Sequence, residues 1–168
     1  MTRQPANGPG NWVLLSYRMP REPSTPRITI WRKLKRLGVA QLGDGLIALP
    51  ADARTREQLD WIAEEIVESG GTATVWLAQP ATLPQERELA AAMASARSEE
   101  YRAVIDQATA AVAAGQPDRT RTVRRLRDEL RRIHRRDYFP PTERDTARQA
   151  VKALAEPRTT ADAPEITP

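Results

Sequence analysis

The order of elements in the sequence predicts an α+β protein, a ferredoxin-like β-α-β-β-α-β sheet followed by a C-terminal helical extension. Three observations carry that reading. Two short apolar runs flank the Asp44-Gly45 dipeptide, two amphipathic helical stretches stop at Gly38 and at Gly70-Gly71, and a β-branched segment follows the second of them. The expected division is a disordered start over 1–11, the ferredoxin-like domain over 12–80, the helical extension packed on the sheet over 81–155, and a flexible tail over 156–168.

The run WVLLSYR, from Trp12 to Arg18, is largely apolar and is followed by Pro20, Pro23 and Pro26, which predicts a strand and then a loop. Thr25 before Pro26 supplies a helix cap and a proline at the first helical position. The first helix therefore runs over 26–37, with Ile30, Leu34 and Leu37 on its buried stripe beside Trp31. VAQL and LIALP around the Asp-Gly turn predict a hairpin, because both residues tolerate positive φ. A second helix begins near Thr55, where Thr55 and Gln58 have capping-box spacing, and carries Leu59, Ile62 and Ile66. TATVWL, from Thr72 to Leu77, is the fourth strand.

This order implies strand order 4-1-3-2 with both helices on one face. The two central strands, WVLLSY and LIALP, are then the most continuously apolar, so the second face needs a cover from the remaining helices or a second subunit. The expected core is Val13, Leu15, Ile30, Leu34, Leu37, Ile47, Leu49, Leu59, Ile62, Ile66 and Val75. Beyond Leu83 a long helix over 84–114 changes phase at Ser98, which predicts a bend or break there. The next helix, with Val123, Leu126, Leu130 and Ile133 on its seam, packs antiparallel on it and ends at Pro140-Pro141; a short helix over 142–155 follows. A winged helix, with 26–37 as recognition helix and the hairpin as wing, is the alternative fold. The TATVWL strand argues against it.

Composition narrows the function. The 168 residues include no Cys and one His, which excludes thiol chemistry, disulfides, cysteine–zinc sites and most histidine catalysis. There is no Gly-rich phosphate loop, Ser/His/Asp set or acidic metal cluster, so the chain is read as a non-enzyme that needs no cofactor and no metal. The absence of a signal-like segment and of a long apolar run points to a cytoplasmic protein without a membrane partner.

The 26 Lys+Arg residues against 22 Asp+Glu leave a net charge of only +4, so local clustering must carry any argument for nucleic acid. Only Lys33, Lys35 and Lys152 are lysine, a bias that a GC-rich genome produces as readily as selection for phosphate. One cluster runs from Arg119 to Arg136, where Arg124, Arg131 and Arg135 share one helical stripe and Arg125, Arg132 and Arg136 the next. Such a stripe attracts phosphate by counterion release; its rivals are an oxyanion site, a protein contact, or a solvated face paired with acids such as Glu99, Glu100 and Asp106. A second cluster, Arg27, Arg32, Lys33, Lys35 and Arg36, lies on the first helix, facing the acidic second helix of Glu57, Asp60, Glu64, Glu65 and Glu68. The candidate DNA-binding residues are Arg27, Arg32, Lys33, Arg36, Arg124, Arg125, Arg131, Arg132 and Arg135. His134 is read as structural or solvent-facing, and the four tryptophans as core or interface packing.

WRKLKRLGVAQLGDGLIALP, from Trp31 to Pro50, resembles the N-terminal domain of the chromate-resistance regulators called ChrB, and WVLLSYRMP, RSEEYRAVI and DYFPPTERDTARQA are also similar to it. The resemblance implies a bacterial transcriptional regulator that binds DNA through this region, with DNA, a second copy and a separately encoded C-terminal domain as partners. Longer members continue into that C-terminal domain, so the resemblance of this region leaves the effector open between chromate, another oxyanion and none. The β-α-β-β-α-β portion is more distantly similar to the ferredoxin-like domain of PaaX-type repressors and to small endoribonucleases of CRISPR adaptation. Those nucleases have an aspartate at the end of the first strand, where this chain reads Ser16-Tyr17-Arg18. The rival reading is a protein-interaction or oligomerisation module that does not bind DNA.

Overall fold

In a computed structural model, which describes residues 10–115 and 118–156, the elements follow the order β1 Trp12–Arg18, α1 Ser24–Leu37, β2 Ala40–Gly43, β3 Leu46–Pro50, α2 Ala53–Glu68, β4 Thr72–Ala78, α3 Leu83–Ala113, α4 Arg119–His134 and α5 Glu143–Ala155. Residues 1–9 and 157–168, which hold most of the expected disordered start and flexible tail, and Gln116-Pro117 lie outside the described residues. The described residues form two compact units. One comprises the chain up to Ala96 with Arg136–Pro140; the other comprises Arg97–Arg135 with the chain from Pro141 on.

The first unit is built on one antiparallel sheet of order β2-β3-β1-β4, the ferredoxin-like order. Leu15 sits opposite Ile47 on one side and Val75 on the other, and β4 pairs with β1 along its length. That pairing removes the winged-helix alternative, since the TATVWL strand is a full member of the sheet. Side chains alternate across the pleat. On one face Val13, Leu15, Ile47 and Leu49 are buried in one core with Ile30, Leu34, Leu59, Ile62 and Ile66 of α1 and α2. Leu37 and Val75, also expected there, are half-buried against the same core. On the other face the Trp12 ring stacks on Phe139 at 6.0 Å, and its Nε1 donates to Glu86 Oε1 at 3.1 Å. Leu89 and Met93 of α3 join this cover.

Two helix starts differ from the sequence expectation. α1 begins at Ser24 with Pro23 at the cap position and no side-chain cap, two residues ahead of the expected start at Pro26. α2 begins at Ala53: Asp52 Oδ1 accepts the Thr55 N–H at 2.7 Å, and Thr55 Oγ1 accepts the Asp52 N–H at 2.9 Å. Thr55 is thus the third helical residue of a capping box, not its cap, and its hydroxyl also donates to the Pro50 carbonyl at 2.7 Å. α1 ends as expected at Gly38, whose φ of 72° lets its N–H return to the Lys35 carbonyl at 3.1 Å.

α3 is unbroken through Ser98, so the expected break does not occur. The change of phase is a change of core. Leu89 and Met93 pack in the first unit's cluster, whereas Tyr101, Val104, Ala108 and Ala111 pack in the second unit with Val123, Leu126, Ile133, Ala147, Val151 and Leu154. The seam expected on α4 is therefore buried, with Leu130 packed at its margin. α4 ends at His134, ahead of the expected stop at Pro140-Pro141. Tyr138 and Phe139 belong instead to the first unit, where Tyr138 Oη donates to the Leu37 carbonyl at 3.3 Å.

Candidate nucleic-acid interface

In the first unit, the end of β1, the loop behind it, the outer face of α1 and the tip of the β2–β3 hairpin enclose an open concavity. Tyr17, Arg18, Arg21, Arg27, Trp31 and Arg32 line it, with Asp44 and Gly45 at the hairpin. Local chemistry explains the convergence. The Tyr17 N–H donates to the Gly45 carbonyl at 2.7 Å, which ties the turn to β1, and Gly45 holds a φ of 70° that suits glycine. On α1, the buried stripe of Ile30 and Leu34 turns Arg27, Trp31 and Arg32 outward.

Four guanidinium groups, of Arg18, Arg21, Arg27 and Arg32, thus face one carboxylate, Asp44, among the lining residues. None of the four makes a side-chain ion pair or hydrogen bond among the described residues. Trp31 is 50% exposed with the Lys35 ammonium 5.0 Å from its ring centroid. Burial pushes the Tyr17 phenol above its ordinary pKa, so it remains a neutral hydroxyl. The other basic residues of α1 are held differently. Lys33 pairs with Glu65 of α2 at 2.5 Å, and Arg36 folds back so that its Nε donates to the Arg32 carbonyl at 3.4 Å. Neutralisation between α1 and α2 is therefore local to Lys33 and does not silence the concave face.

The second unit holds the other candidates on α4, where most are engaged within the unit. Arg125 donates to Gln107 Oε1 at 2.7 Å, Arg132 pairs with Glu129 at 3.2 Å, and Arg131 pairs with Asp128. The acids in these pairs lie on α4 itself, and Arg121 likewise reaches the helix-start Asp118 at 3.6 Å. Arg119 is structural: it donates to the Leu154 carbonyl, to Ala153 at 3.2 Å and to Glu156 at 2.6 Å, capping the C-terminus of α5. Arg124 and Arg135 are exposed, and neither side chain has a partner among the described residues. Arg124 shares a shallow groove between α4 and α5 with Arg127 and Arg131.

The tryptophans divide the sequence reading of core or interface packing, since only one of them is in the core. Trp12 is 2% exposed as expected of a core residue, but Trp31, Trp61 at 62% and Trp76 at 54% stand in solvent. Arg18, Arg21 and Trp31 were not among the sequence candidates. The signal for them is topological: in a split β-α-β sheet, the end of the first strand, the start of the first helix and the hairpin tip fall at one end.

No helix among the described residues is long and apolar enough to cross a membrane, and no group of acidic, histidine or cysteine side chains among them could hold a metal ion. No solved structure matches the chain. The family described as Protein ChrB, N-terminal, matches residues 27–161. The chain is also similar to Protein ChrB of Cupriavidus metallidurans, with 29% identity over 109 residues, which are 65% of this chain and 30% of that protein. The chain thus spans less than a third of the length of that curated relative. With the family match extending from α1 to the end of α5, the chain belongs to the ChrB N-terminal family.

Proposed function

We propose that this domain is a DNA-binding transcriptional regulatory module, without catalytic activity, that works in the cytoplasm, with chromate resistance as the regulon its family suggests. The observation that carries the reading is the concave face of the first unit, where Arg18, Arg21, Arg27 and Arg32 stand unpaired among the described residues around Trp31. Arginines held on a rigid surface and not matched by acids are the arrangement that contacts phosphate, releasing counterions and fixing register on the backbone without reading sequence. The exposed Arg124 of α4 and Arg135 at its C-terminal cap are proposed as secondary phosphate contacts, and Lys33 and Arg36 as contributors to the local potential only.

The test is charge reversal on the concave face. Arg27→Glu with Arg32→Glu should abolish retention of a duplex promoter fragment in a mobility assay while leaving the far-ultraviolet circular dichroism and melting temperature unchanged. Retained binding would remove this face from the interface.

A specific observation also favours a protein contact, and it involves a different surface. Trp61 of α2 and Leu77 of β4 line one open concavity with Glu57, Asp60 and Glu64, and β4 is a sheet edge with an unpaired backbone side. An exposed apolar strip on an edge strand is the kind of surface that a second copy or a separately encoded C-terminal domain would cover. Loss of self-association, measured by sedimentation, on Trp61→Ala with Leu77→Ala would support the second copy as its partner.

A further inference from the structure

We infer that the concave face takes an unpaired nucleotide, its base stacked on Trp31 and its phosphate held by the surrounding arginines; this deepens the proposed DNA reading and rests on it. Phosphate contact explains the arginines but not the indole. Trp31 lies in the middle of α1 on a helix that has a well-filled buried stripe, and it still leaves 50% of its surface in solvent. It is also not isolated: Arg27 and Arg32 flank it on the helix, and Tyr17, Arg18 and Arg21 complete the same concavity. A cationic groove interleaved with aromatic side chains is how proteins hold single strands, because every base offers a π-face and every nucleotide a phosphate.

Shape points the same way. A duplex presents paired bases edge-on inside its grooves, so an indole face gains little from it, whereas an unstacked base can enter the open concavity and lie on the ring. The hairpin side of the site is fixed: Gly45 is tied to Tyr17 at 2.7 Å, and a Cβ at Gly45 would lie 2.2 Å from the Tyr17 carbonyl oxygen. The Lys35 ammonium lies over one face of the Trp31 ring at 5.0 Å, so a base stacks on the opposite face. Four arginines against the single carboxylate of Asp44 leave the lining cationic, as a phosphate requires. The same base-plus-phosphate chemistry is available from a single DNA strand or from a free nucleotide.

Fluorescence polarisation of a short labelled oligothymidylate, beside a labelled duplex, separates the possibilities. Trp31→Ala should weaken the single strand by about 5- to 150-fold, the range for loss of one base–aromatic stack, and should weaken the duplex by a clearly smaller factor. Trp31→Phe should retain most of the single-strand affinity, which a role in folding or charge alone would not predict. Competition by thymidine triphosphate at equal nucleotide concentration identifies a free nucleotide as the source, and failure to compete identifies the strand. Single-strand affinity unchanged in Trp31→Ala, or an equal loss for strand and duplex, overturns the stacking inference. Wild-type protein that binds duplex but neither single strand nor nucleotide overturns it while leaving the DNA reading intact. Binding to none of the probes removes both.

Discussion

The Gly45 carbonyl accepts the Tyr17 N–H at 2.7 Å, while a Cβ on Gly45 would come within 2.2 Å of the Tyr17 carbonyl oxygen. One glycine therefore both makes the β2–β3 turn and lines the basic concavity. Gly45→Ala meets a backbone atom that cannot move aside and a φ of 70°. The loss of stability should exceed the roughly 1–2 kcal/mol of left-handed strain alone. Urea denaturation measures it, and a variant as stable as the wild type would show that the turn is free to rearrange.

Leu34 and Arg32 lie two residues apart on α1 and should behave oppositely. Leu34 is 2% exposed, so Leu34→Ala should cost about 2–5 kcal/mol. Arg32 is exposed, so Arg32→Ala should stay within about 0.5 kcal/mol of the wild type. Comparable losses at both positions would contradict the assignment of buried and outward faces on which the concave site depends.

Arg119 donates to carbonyls in the last turn of α5 and to that of Glu156 just beyond it, at 2.6 Å. Arg119→Ala should destabilise the protein by about 0.5–1.5 kcal/mol, the net worth of an ordinary hydrogen bond, because water replaces the donor at the exposed carbonyls. DNA affinity should be unaffected. A loss of DNA binding with unchanged melting would instead place Arg119 among the phosphate contacts.

Glu143, at the start of α5, has its pKa lowered from 4.5 to about 2, first by its own backbone N–H, then by hydrogen bonds from Arg102 and Ser98. Arg102 Nη2 lies 2.6 Å from Glu143 Oε1. A lowered folded-state pKa means that the charged carboxylate stabilises the native form above the ordinary value. That contribution is complete above about pH 5 and is lost as the pH falls from 4.5 toward 2. Glu143→Gln should therefore flatten the acid limb of the melting-temperature profile and lower stability at neutral pH. Superimposable acid limbs in the two proteins would contradict it.

The sheet was legible from the sequence because its determinants are local. Asp44-Gly45 marks the turn, Gly38 and Gly70-Gly71 mark helix ends, and the alternation of Val13 and Leu15 with Trp12 and Leu14 follows the pleat. What periodicity reports is the buried side of an element. It located Val123, Leu126 and Ile133, but could not show that the change of phase at Ser98 is one helix serving two cores. The start of α2 was misplaced because Thr55 can cap a helix or serve as the third residue of one, and only the Asp52 contact decides. The arginines of the concavity were half-legible. Arg27 and Arg32 stand out in a helical charge cluster, whereas Arg18 and Arg21 are scattered in a strand end and a proline-rich loop and meet them only in three dimensions.

The account rests on phosphate contact by the concave face, and the salt dependence of binding tests it most directly. Log affinity for duplex DNA should be measured against log salt for the wild type, for a variant with Arg18, Arg21, Arg27 and Arg32 changed to alanine, and for one with Arg124, Arg131 and Arg135 changed to alanine. Each lost phosphate contact flattens the slope by roughly 0.9, so the concave-face variant should flatten it by about 3 or more, and the α4 variant by about 1 to 2. An unchanged slope in the concave-face variant, with the full change of about 2.7 in the α4 variant, would contradict the assignment and move the interface to α4.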